Sequence, residues 1–135
     1  MRKAAMALAV SGLMAVTQPA SATGTIECEG VDGADASVFV LVGRVPVLAV
    51  LRAEIEAEGT VYATDAPEGA DAVRIVFGQG FFDDERLRAD FTDPNIEQIV
   101  VSVRLERAFE DKSGAEAGIL QIPGVGAYAV SCLSG

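Results

Sequence analysis

From residue 47 to residue 64 the chain reads VLAVLRAEIEAEGTVYAT. Its odd positions, Val47, Ala49, Leu51, Ala53, Ile55, Ala57, Gly59, Val61 and Ala63, are apolar or glycine. From Arg52 onward the even positions are Arg52, Glu54, Glu56, Glu58, Thr60, Tyr62 and Thr64. A period of two is the pattern of a strand with one dry face and one wet face. Alanine, leucine and glutamate also favour helix, but a helix would set Glu54 against Glu58 one turn apart and scatter the small residues around its girth. The period therefore decides for strand, and Gly59 predicts a bulge or bend that splits the run in two.

The alternation recurs along the chain. Val73, Ile75 and Phe77 share one parity. Leu87, Ala89 and Phe91 alternate with Arg86, Arg88 and Asp90, and Ile99, Val101, Val103 and Leu105 alternate with Gln98, Ser102, Arg104 and Glu106. Tyr128, Val130 and Cys132 share a parity near the end. Residues 37–42 (SVFVLV) are apolar on both parities, as in a strand covered on both sides, and residues 119–122 predict one more short strand. Turn-forming clusters lie between, at 30–35, 65–71, 92–95, 111–114 and 123–124. Short strands separated by turns predict an all-β fold, a single small antiparallel sandwich or barrel of about seven to nine strands. The alanines on the inward parity (Ala49, Ala53, Ala57, Ala63, Ala89) predict a narrow core, closely packed or opening into a ligand pocket.

The first residues follow another pattern. Met1-Arg2-Lys3 is basic, and residues 4–16 (AAMALAVSGLMAV) are apolar over a length too short to span a bilayer as a helix. Thr17-Gln18-Pro19 interrupts this run, and Ala20-Ser21-Ala22 has the small-x-small form of a cleavage site. The pattern predicts a signal peptide over residues 1–22, cut after Ala22. Cys28 follows Gly24-Thr25-Ile26-Glu27, which is not a lipoprotein arrangement, and no later apolar run is long enough for a membrane helix. The expectation is an exported, soluble protein of the bacterial periplasm, with one domain over residues 23–135 and no membrane insertion after cleavage. Its two cysteines, Cys28 and Cys132, form an even pair that an oxidising compartment would join, tying the first strand to the last. A redox-active pair would call for a Cys-x-x-Cys setting, which this spacing does not offer.

The charge is strongly negative: 20 acidic against 10 basic residues, net −10. Loss of Arg2 and Lys3 with the leader takes the mature chain to −12. Such a surface repels nucleic acid and anionic lipid and attracts cations or a basic protein. There is no histidine, so neither a Ser-His-Asp triad nor an imidazole base is available. Without histidine, and with its cysteines paired, the chain offers no usual zinc or copper ligand set. Glycine-rich phosphate and dinucleotide loops are absent. No catalytic residue and no cofactor is expected.

The stretch FFDDERLRADFTDPN, residues 81–95, concentrates five carboxylates: Asp83, Asp84, Glu85, Asp90 and Asp93. Asp83, Asp84 and Glu85 fall in a turn, residues 86–91 alternate as a strand with Asp90 on its wet face, and Asp93-Pro94-Asn95 reads as a type I turn. A solvated hairpin is the expectation. The competing chemistry is calcium, for which Asp90, Asp93 and Asn95 would supply three of the six to eight oxygens required. A hydrolase built on two carboxylates about 5 to 9 Å apart is the remaining alternative, although the chain has no Trp and only two Tyr to line a sugar cleft.

An exported chain of this size, with a cleavable leader, one β-domain and a single disulfide near both termini, resembles in plan the C-type lysozyme inhibitors. The resemblance covers layout over the mature chain and carries no individual residues. It implies a non-enzymatic binding or interaction module whose partner is a basic protein such as a lysozyme. A calcium-dependent structural or adhesion domain is the alternative.

Overall fold

The computed structural model describes residues 23–43 and 47–135. The signal peptide expected at residues 1–22 lies outside the described residues. Among the described residues, ten strands form one sheet: β1 (Thr23–Gly30), β2 (Ala36–Gly43), β3 (Ala49–Ala57), β4 (Thr60–Ala63), β5 (Val73–Arg74), β6 (Val76–Phe82), β7 (Arg86–Thr92), β8 (Ile99–Glu110), β9 (Ser113–Ile122) and β10 (Gly126–Ser134). Their order across the sheet is β5-β4-β3-β2-β1-β10-β9-β8-β7-β6. This is two meanders of consecutive strands, β1 to β5 and β6 to β10, joined edge to edge through β1 and β10.

The two ends of that order, β5 and β6, are separated in the chain by Ile75 alone. Arg74 and Val76 can lie no more than about 7 Å apart across two trans peptide steps, so the sheet must curl until its ends meet. The all-β sandwich or barrel expected from the alternation is thus a nearly closed barrel made of two five-stranded halves. Its ten strands exceed the expected seven to nine because the run at 73–77 is cut at Ile75 into strands on opposite edges. One pair, β4 with the two-residue β5, is parallel; the others are antiparallel. Ile75 is fully buried, and its N–H donates to the Ala63 carbonyl at 3.1 Å. Leu48 packs across the same seam: a Cβ on Gly80 of β6 would fall 2.6 Å from Leu48 Cδ2 and 2.9 Å from Phe77 Cζ.

The inward parity supplies the core. Ile26, Val38, Val40, Ile55, Phe91, Val101, Val103, Leu105, Leu120 and Val130 are all buried there. Two local devices shift the parity read from residues 47–64. Between Leu41 and Val42 the β2–β3 register slips, so that Leu41 faces Arg52 and Val42 faces Val50. Leu51 is the extra residue of this bulge and stands exposed, while Leu48 and Val50 turn toward the core. Further on, Glu58 and Gly59 both have positive φ, 51° and 78°, and form a two-residue hairpin turn. The split expected at Gly59 is therefore a tight turn. Because Ala57 faces Thr60 and Ile55 faces Tyr62, the inward residue of β4 is Tyr62, and Val61 turns away. A third shift, between Phe91 and Thr92, leaves Ile99 exposed and Val100 packed on the core.

Cys28 and Cys132 face each other in the β1–β10 pairing and form the expected disulfide, with Cα atoms 4.0 Å apart. The bond closes a sequence separation of 104. In the loop-entropy account a closure of that length contributes roughly 4 to 5 kcal/mol.

Two outcomes follow for stability. Replacing both cysteines by alanine should lower the unfolding free energy by about 2–5 kcal/mol in a denaturant titration. Ile75→Ala should cost about 2–5 kcal/mol, because the deleted side chain fills the point where the two sheet ends meet.

Candidate functional site

The acidic stretch at 81–95 is a hairpin, and two of its carboxylates, Asp83 and Asp93, organise its turns. Asp83 closes the β6–β7 turn: its Oδ1 accepts from the N–H groups of Glu85 at 2.9 Å and Arg86 at 2.7 Å, and its own N–H donates to the Arg86 carbonyl. Asp93 organises the β7–β8 loop in the same way, accepting from the N–H groups of Asn95, Glu97 and Gln98. Those backbone donors hold its carboxyl below the usual carboxylate range.

Asp90 departs from the expected solvated face. It points outward from β7 yet is buried under its neighbours. Gln79 Nε2 and Ser102 Oγ each donate to it at 2.8 Å, and Arg104 forms an ion pair at 2.7 Å. Burial alone would raise its pKa, but these three hydrogen bonds and the Arg104 charge outweigh that effect and hold it below the usual value.

The calcium candidates therefore have separate engagements, Asp90 in a side-chain cluster on the sheet and Asp93 in its loop, while Asn95 contributes a backbone N–H to the Asp93 carboxylate. No group of three or more acidic or cysteine side chains is gathered for a metal among the described residues. The two buried carboxylates, Asp90 and Glu116, are each ion-paired to an arginine, Arg104 and Arg107 respectively. Asp90 is on the outer face and Glu116 continues the inward parity of β9, so they do not face each other across a common cleft.

The acidic residues that do gather come from strands distant in sequence. Pairing places Glu29 beside Ser37 and Ser37 beside Glu56; one step along, it places Leu133 beside Glu27, Glu27 beside Phe39 and Phe39 beside Glu54. All seven side chains are on the outward parity of β10, β1, β2 and β3, opposite to the buried Cys28, Val38, Ile55 and Cys132. Four carboxylates thus flank Phe39 and Ser37 on both sides, with Leu133, 80% exposed, at the margin. A shallow depression of about 290 Å³ lies among Glu27, Glu29, Ser37, Phe39 and Glu54.

The charge on this face is largely uncompensated. Arg52 stands 3.5 Å from Glu54 and 3.3 Å from Asp65, with its guanidinium 5.9 Å from the centre of the Phe39 ring. Among the described residues, Glu27, Glu29 and Glu56 have no basic side chain at ion-pair distance. On the other half of the barrel, Arg86, Arg88 and Arg104 are matched by Glu85, Glu106 and Asp90. On the strands β1 to β3 themselves, four glutamates thus stand against one arginine, Arg52. The alternation in TIECEG and RAEIEA marks these glutamates as outward-facing; only the strand pairing brings them together.

Comparison with protein-family models, with curated proteins and with solved structures returned no match.

The Asp90 cluster sets a pH dependence. Its carboxyl is depressed in the folded state, so its stabilising contribution is complete above the unfolded-chain value of about 3.9. That contribution is lost as pH falls through the lower folded value. Thermal melts of the parent and Asp90→Asn should differ most near neutral pH, by roughly 1–3 kcal/mol, and converge as pH falls through that range.

Proposed function

We propose that this chain is a non-enzymatic binding module, exported to the periplasm, whose outer β1–β2–β3 face receives a basic protein. The observation that carries this reading is the register that sets Glu27, Glu29, Glu54 and Glu56 on both sides of Phe39 and Ser37. An apolar centre within a charged margin is the anatomy of a protein interface, and aromatic residues at such centres supply much of the binding energy. Phe39 suits that role, with Leu133 at the margin, and the carboxylates suit long-range steering. The Cys28–Cys132 disulfide is consistent with an oxidising compartment. The outward distribution of charge, with apolar residues inside, is the reverse of a lipid-facing barrel. The plan-level resemblance to C-type lysozyme inhibitors makes a lysozyme the first basic protein to test.

Titration of the mature protein with lysozyme should show saturable binding that weakens by at least about tenfold between low and high salt. Replacing Glu27, Glu29, Glu54 and Glu56 by Gln should remove most of that salt dependence, and Phe39→Ala should lower affinity at every salt concentration. Binding that is indifferent to salt and to the four substitutions would overturn the assignment of this face.

A further inference from the structure

The inward-facing positions of β8, β9 and β10 are apolar along most of the barrel and become polar at one end. On β8 the series Val101, Val103, Leu105 is followed by Arg107; on β9, Leu120 gives way to Glu116 beyond Gly118; on β10, Val130 and Cys132 are followed by Ser134. These three side chains form one network. Arg107 Nε donates to Glu116 Oε2 at 2.5 Å, and Ser134 Oγ donates to the same carboxylate at 2.8 Å. Arg107 NH1 also donates to the Asp83 carbonyl at 2.9 Å. The Phe82 and Phe109 ring centres lie 4.5 and 5.0 Å from the guanidinium carbon. The Arg107 and Glu116 side chains are 9% and 3% exposed.

A cavity of about 580 Å³ opens against this network at the barrel mouth, with Ile26, Val42, Phe82 and Phe109 as apolar lining and Arg107 and Ser134 as polar lining. The volume is within the range of small-molecule sites, and barrel mouths are among their usual places. A buried ion pair gives little net stability compared with apolar side chains of the same size. Here it places a guanidinium, lying over two rings, in the wall of a mostly apolar cavity. The NH2 group of Arg107 has no protein acceptor among the described residues. Phe109 is half exposed at the rim, as expected of a ring that a bound molecule would cover.

We infer that the barrel mouth binds a small, neutral, largely apolar molecule carrying one hydrogen-bond acceptor. Its body lies against Phe82 and Phe109, and its acceptor meets Arg107. The charges select neutrality. Glu116 already balances Arg107, and Asp84 at the rim adds a further negative charge, so an anion gains nothing on entering. A cation would meet the guanidinium. The site is separate from the acidic face and does not depend on the reading of that face.

The probe is Nile red, a neutral, planar, apolar dye with a carbonyl acceptor, titrated against the full mature protein and followed by fluorescence. The expected result is saturable one-to-one binding. Phe109→Asp should weaken it by roughly tenfold or more, whereas Phe81→Ala, at the other exposed phenylalanine of the 81–109 region, should leave it unchanged. Methyl laurate should displace the dye and laurate should not. The inference is overturned by a lack of saturable binding, by equal effects of Phe109→Asp and Phe81→Ala, or by stronger displacement with laurate than with its ester.

Discussion

The β1–β10 pairing holds the architecture together. Each half of the barrel is a meander of strands adjacent in sequence, and a lone five-stranded meander would leave two open edges and one uncovered apolar face. Pairing β1 with β10 removes one edge from each half and orients the two inner faces toward each other. The Cys28–Cys132 bond sits within this pairing, between residues already opposite in register, so it secures an arrangement that backbone hydrogen bonds also specify. The second junction, at Ile75, is covalent and short, and together with the first it closes the sheet into a barrel.

That constraint also distributes the chemistry. β1 brings Glu27 and Glu29 to one side of Phe39 and Ser37, β3 brings Glu54 and Glu56 to the other, and β10 adds Leu133. The same β10, through Ser134, completes the Arg107–Glu116 network inside the mouth. One junction therefore contributes to an outer, charged face and to an inner, mostly apolar cavity. These surfaces differ in chemistry: carboxylates flank Phe39 on the first, while the second is mostly apolar around the Arg107–Glu116 ion pair.

Much of the fold was legible as alternation. The inward parities of residues 101–105 and 128–132 hold because those stretches pair regularly with both neighbours, and that of 87–91 holds because the slip in its pairing with β6 lies on the β6 side, at Gly78. The readings that shifted did so at local geometry with little sequence signal. Leu51 and Ile99 lost their inward places to bulges, and Tyr62 gained one because a two-residue turn fixes which parities face each other. β9 begins at Ser113, earlier than expected, since SGAEAG carries weak strand propensity and is held by the long pairing with β8. Asp90 reads as a wet-face residue in one strand; its burial depends on Gln79, Ser102 and Arg104 arriving from the strands on either side. The disulfide was legible from cysteine count alone. The acidic face and the mouth were not, because each is assembled from strands far apart in the chain.

The division into two sequential meanders also bears on how the chain reaches this shape. Pairings within each half close short loops, which is entropically cheap and fast. The β1–β10 pairing joins segments separated by about a hundred residues, so it is the slow, non-local event. A chain emerging N-terminus first can assemble β1 to β5 early, but β1 must wait for the final strand with its outer edge unpaired. An oxidised chain that is unfolded and allowed to refold begins with that long loop already closed, whereas a newly made chain must find the contact by diffusion.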